Sequence, residues 1–124
     1  MDIERVKYVV IKDKGIVRAI ISDCKYDAFD AFDRKIMLPS THYLTLCANG
    51  EHEKFIMPYQ FSAVAKLHPE DEWDEETGKK IALKKLSEQY NRSLDKRLFN
   101  MYNALSSVTE KLKDYLNDRD YLII

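Results

Sequence analysis

Only two cysteines, three glycines and three prolines occur among the 124 residues. Cys24 and Cys47 lack the paired spacing of a metal ribbon or a redox motif, so they read as reduced thiols of a cytoplasmic protein. So few glycines and prolines argue against linkers and low-complexity segments. No stretch approaches the ~18 consecutive apolar residues of a membrane-spanning helix. The opening MDIERVKYVV puts acids ahead of its apolar stretch and has no small-residue cleavage pattern, unlike a signal peptide. Charge of one sign is also missing. Twenty basic and 21 acidic residues leave a formal charge of −1, so there is no global field to hold a nucleic-acid duplex. Phosphate loop, dinucleotide fingerprint and nucleophile elbow are all absent, and no nucleophile has a histidine and an acid at motif spacing. These absences point away from an enzyme and imply no cofactor.

What is present is a helical seam. Leu94, Leu98, Met101, Leu105, Val108, Leu112 and Tyr115 recur at alternating spacings of four and three, the 3.5-residue period of a stripe facing a partner helix. The helix implied, about Ser93 to Asn117, is roughly 37 Å long. A globule of this chain length has a radius of gyration of about 14 Å, so the outer part of such a helix calls for a second chain. The seam therefore predicts a homo-oligomer, dimer or higher.

Ahead of the seam, Val6–Ile11 and Ile16–Ile21 are rich in β-branched residues and flank a short loop closed by Gly15, which predicts a hairpin. Both strands are apolar on both faces near their centres, the pattern of strands covered on two sides. Ala28, Phe29, Ala31 and Phe32 recur at helical spacing and allow a short helix before Pro39. His42–Cys47 and His52–Met57 flank Asn49-Gly50, a favoured pair for a two-residue hairpin turn, and Phe61–Leu67 reads as a fifth strand. From residue 69 the pattern turns helical. Asp74 is the expected N-cap, and the acids from 70 to 76 suit the positive end of a helix dipole. Lys79 and Lys80 follow Glu75 and Glu76 at the i, i+4 spacing of surface ion pairs. Ala82, Leu86 and Tyr90 form the buried stripe. Asn91 and Arg92 weaken the helix and Ser93 can cap another, although one helix from Glu75 to Asn117 remains open because no glycine or proline forces a break. The apolar tail Tyr121–Ile124 is expected to dock. The expected fold is α+β in a single domain, 1–124. A small antiparallel sheet of two hairpins plus one strand fills 1–67, and two long C-terminal helices fill 69–117 and oligomerise.

Two metal readings are weak. Glu70, Asp71, Glu72 and Asp74 lack the spacing and glycine of a calcium loop, and His42, His52 and Cys47 fall short of the four ligands of zinc. The cluster Tyr90, Asn91, Arg92, Lys96, Arg97, Asn100 and Asn103 is richer in binding chemistry. Arginine forks match phosphate oxygens, aromatic rings stack on bases, and amides read base or ribose edges. Ordinary solvated charge on a polar helix face is the competing reading. Trp73 offers a further ring, and it reads equally as an anchor where helix meets sheet.

Residues 63 to 86, AVAKLHPEDEWDEETGKKIALKKL, carry a distinctive order: Lys66, then His68, Pro69, Glu70, Asp71, Glu72, Trp73 and Asp74, then Gly78, then Ile81 to Leu83. This stretch resembles a pattern in small proteins of phages of Gram-positive bacteria, where Phe is usual at the position of Trp73. With the sheet and long helix, the layout is similar to the Thoeris anti-defence sponge proteins of the first type. The resemblance implies a small antiparallel sheet with long helices assembled into oligomers. It also implies capture of a cyclic ADP-ribose messenger, made by host TIR-domain enzymes, without its degradation. The adenine aromatic would then be Trp73 or Tyr90, the phosphate partners Arg92 and Arg97, with Asn100 beside them, in the cytoplasm of a host bacterium. An inhibitor of a host defence protein acting through the acidic segment 70 to 76, in the manner of an anti-CRISPR factor, is the other function expected of such a chain.

Overall fold

A computed structural model describes residues 1–36, 52–68 and 70–119. The expected strand His42–Cys47, the Asn49-Gly50 turn and the tail Tyr121–Ile124 lie outside these residues. The chain divides into two compact units, Met1–Tyr26 with Met57–Asp95 and Asp27–Ile56 with Lys96–Ile124.

In the first unit, strands β1 (Lys7–Ile11), β2 (Ile16–Ile21) and β3 (Phe61–Lys66) form an antiparallel sheet in the order β1-β2-β3. The first hairpin forms as expected. A 3-10 turn at Lys12–Lys14 joins its strands, and Gly15 ends that turn in the left-handed region at φ 62°. Glycine is required there twice over, because a Cβ would also stand 3.1 Å from the Cβ of Leu67. The Leu67 amide donates to the Gly15 carbonyl at 2.7 Å, tying the end of β3 to the turn.

Val17, Ala19, Ile21, Ala63 and Ala65 are buried on one face of the sheet. On the other face Val9 and Ile11 of the edge strand are exposed in the single chain. The buried face is alanine-rich at its centre, which lets a helix backbone come close. That helix is α2, Glu75–Asn117, which extends from the first unit into the second. Its Gly78, Ala82, Leu86 and Tyr90 meet the sheet side of the unit. Ala82, Leu86 and Tyr90 are buried, the Tyr90 ring packs edge-on to Phe61 at 5.7 Å, and the Lys79 ammonium lies 5.5 Å from the centre of the Tyr8 ring. The stripe read from the sequence is therefore the helix's buried face.

The expectation of two long helices is corrected to one of 43 residues. Asn91, Arg92 and Ser93 are helical throughout. Each of these residue types costs at most about 0.7 kcal/mol in a helix interior, less than the penalty of nucleating a second helix. Asn91 also donates to the Ser87 hydroxyl one turn back, at 3.3 Å.

In the second unit, α1 (Asp27–Ile36) buries Ala28, Phe29 and Phe32. The short helix allowed by the spacing is thus present. The segment His52–Met57 is corrected from a strand to a 3-10 turn over His52–Phe55. Phe55 is buried and meets Phe29 edge-on at 6.0 Å. Two side chains of α2 hold this turn by its carbonyls. Arg97 Nε donates to Ile56 O at 3.1 Å and Asn100 Nδ2 to Lys54 O at 2.8 Å. Carbonyls engaged in this way favour a turn over a ladder of strand hydrogen bonds.

Candidate functional site

The acidic motif is first of all a helix start. Asp74 accepts from the Thr77 amide at 3.3 Å and from the Thr77 hydroxyl at 2.7 Å. These bonds, the hydroxyl's foremost, hold the Asp74 carboxyl below the usual carboxylate range. Lys79 bridges Glu75 at 3.3 Å and Glu76 at 3.8 Å. Ahead of the cap, the Asp71 amide donates to His68 O at 2.9 Å. At Gly78 α2 comes close to β2: a Cβ there would stand 2.7 Å from Val17 Cγ2. Three residues of the distinctive order thus have structural work, as cap (Asp74), as close approach (Gly78) and as wall (Trp73). Trp73 is half-buried and lines a cavity of about 30 Å³ with Gly15, Val17, Leu67 and Thr77. That volume holds about one water molecule, far less than a nucleotide.

The other residues singled out from the sequence are divided between the units, Tyr90 and Arg92 in the first, Arg97 and Asn100 in the second. About 24 Å of helix separates Asp74 from Tyr90. Tyr90 is only 5% exposed and its ring packs on Phe61, so a base cannot lie on its face as the unit stands. Arg92 is exposed on α2. Arg97 and Asn100 belong to the second unit, where they grip backbone carbonyls as described. Of the histidine-cysteine set considered for zinc, His52 lies on the exposed 3-10 turn, and His42 and Cys47 fall outside the described residues. Among the described residues no group of three or more His, Cys, Asp or Glu is placed to hold a metal ion. No described helix is long and apolar enough to cross a membrane.

Two features escaped the sequence reading. A groove of about 370 Å³ runs in the first unit between the N-terminal turn and α2, lined by Met1, Ile3, Leu83, Lys80, Lys84, Ser87 and Glu88. Nothing in the local sequence marks it, because it arises where the N-terminus meets the helix. In the second unit Phe99 and Tyr102 are 62% and 63% exposed, and their rings stack 6.0 Å apart at 26°. A signal for this pair was available: Phe99 falls outside the phase of the seam, on a helix face otherwise polar.

Along the seam itself exposure changes. Leu94 and Leu98 are half-buried and Met101 is 1% exposed, whereas Val108, Leu112 and Tyr115 are 41%, 56% and 56% exposed. The outer stretch also carries Arg119, whose guanidinium donates to the Tyr115 hydroxyl at 2.6 Å and lies over its ring. No protein-family model, no curated protein and no solved structure matches the chain.

Proposed function

We propose that this chain is a phage anti-defence protein that captures a cyclic ADP-ribose-type immune signal without degrading it. It would act in the host bacterial cytoplasm as an oligomer built through the outer part of α2. The motif resemblance in residues 63–86 supports the choice of ligand. The observation that carries the assembly is the change of exposure along one stripe, from Met101 covered to Leu112 and Tyr115 open. Apolar side chains repeated at the seam spacing over about four further turns gain about 25 cal/mol for each Å² removed from water, and a second copy of the helix supplies that cover. Capture without turnover suits a ligand held by charge and stacking. In this reading the phosphate contact falls to exposed Arg92, because Arg97 and Asn100 already hold the turn at His52–Phe55.

Mass spectrometry under native conditions, with cyclic ADP-ribose added, tests the reading. The expected species contains two or more 14.6 kDa chains and intact ligand that heating releases unchanged. A lone chain without ligand, or a ligand returned hydrolysed, overturns it. One observation favours inhibition of a host protein instead. Glu70, Asp71 and Glu72 are all exposed ahead of the helix, while Lys79 bridges Glu75 and Glu76. Such an acidic surface fits a basic cleft, and that reading expects a host polypeptide, rather than a nucleotide, in the purified complex.

A further inference from the structure

We infer that the base of the captured nucleotide stacks on the Phe99–Tyr102 ring pair of α2 with a phosphate on Lys96, an assignment that rests on the capture reading above.

The ring geometry is the first ground. Phe29–Phe55 and Phe61–Tyr90, ring pairs that involve buried aromatics, meet at 89° and 73°, the edge-to-face packing of a core. Phe99 and Tyr102 instead stack at 26° to each other, with centroids 6.0 Å apart and both rings mostly exposed, which leaves aromatic surface open to solvent. Such a surface takes any planar heterocycle. The second ground is position. At about 100° per residue, Phe99 is turned roughly 160° from Met101 around the helix, outside the ~100° stripe that a partner helix covers. Assembly along the seam therefore leaves Phe99 open. The third is charge. Lys96 and Asn103 stand three residues before and four after Phe99, on the same strip of helix, and both are exposed. An ammonium and an amide beside a stacking surface suit a phosphate and a ribose or base edge. Asp95, four residues before Phe99, is the one acid within a turn of it in sequence and opposes an anion. Its removal gives the assignment a distinctive sign.

Calorimetric titration with cyclic ADP-ribose, alongside sedimentation of each variant, provides the test. The double variant Phe99→Ala/Tyr102→Ala should bind roughly 5- to 150-fold more weakly, the range spanned by loss of one base stack. Its thermal midpoint and assembly size should stay unchanged, since both rings are mostly exposed. Phe99→Tyr/Tyr102→Phe should keep wild-type affinity, Lys96→Ala should weaken binding, and Asp95→Asn should tighten it. Wild-type binding that the double variant retains in full overturns the ring assignment and leaves capture standing. No binding by the wild type removes both. A change of assembly size in the double variant makes the rings a contact between copies and overturns the assignment. Asp95→Asn with unchanged or weaker affinity removes the anion contact from this strip.

Discussion

Gly78→Ala separates two opposing effects of similar size, and the structure says which wins. In a helix interior, alanine is better than glycine by about 1 kcal/mol, so a solvent-facing Gly78 would make the change stabilising. Here the new Cβ would stand 2.7 Å from Val17 Cγ2 and 3.4 Å from Val17 Cβ. Carbon atoms settle at about 3.5–4.0 Å, so one side must yield by close to 1 Å. Val17 cannot easily do so. It is buried on the central strand, in register with Val10 on one side and Ala65 on the other, and a β-branched side chain is stiff about χ1. Overpacking of this kind costs roughly 1–3 kcal/mol. The net change is a loss of about 1 kcal/mol, or roughly 3–5 °C in the unfolding midpoint for a chain this long.

The partner substitution turns this into a sign test. Val17→Ala removes the methyl that Gly78→Ala would strike. It lowers stability by itself, because two buried methyl groups are lost. In that background, Gly78→Ala should become stabilising, by up to about 1 kcal/mol, since only the helix preference remains. Urea unfolding of the four chains, followed by circular dichroism at one fixed protein concentration, gives the coupling energy directly. If Gly78→Ala stabilises the otherwise natural chain, or if its effect is the same with and without Val17, the close approach of α2 to β2 is wrong.

Three further outcomes follow from other contacts. Asp74→Ala should lower the unfolding midpoint at neutral pH through loss of the cap. Because the folded carboxyl is held below its unfolded value near 3.9, its contribution is present above that pH and lost as pH falls through the folded value. The gap between the two chains should therefore narrow in acid, and a gap that does not narrow as pH falls below the unfolded value speaks against the cap. Asn100→Ala should cost about 1 kcal/mol and speed hydrogen exchange in the turn at His52–Phe55, because Lys54 O loses its donor; unchanged exchange there would show that the turn stands without it. Gly15→Ala should lose roughly 1–2 kcal/mol for a left-handed residue bearing a Cβ, an effect read in the same urea series and refuted by a neutral result.

The parts of the fold that were legible in the sequence depend on neighbours close along the chain. The first hairpin follows from β-branched runs around Gly15, the cap from Asp74 ahead of Thr77, and the helix face from Ala82, Leu86 and Tyr90. The parts that were not legible are decided by residues far apart. The run His52–Met57 has strand-like composition, yet its shape is set by Arg97 and Asn100, more than 40 residues later. The break expected at Asn91–Ser93 rested on small local preferences, which a continuous helix easily overrides. A similar contest decides the candidate site. Tyr90 satisfied two readings at once, as a ring for a base and as the last residue of the buried stripe, and burial on Phe61 took it. Arg97 was read as a phosphate fork, and a backbone carbonyl took its Nε. An aromatic in phase with an apolar stripe is used up by packing, so it is a poor choice for a ligand. The informative ring is the one out of phase, and on α2 that is Phe99, which the seam cannot bury and which nonetheless stacks with Tyr102.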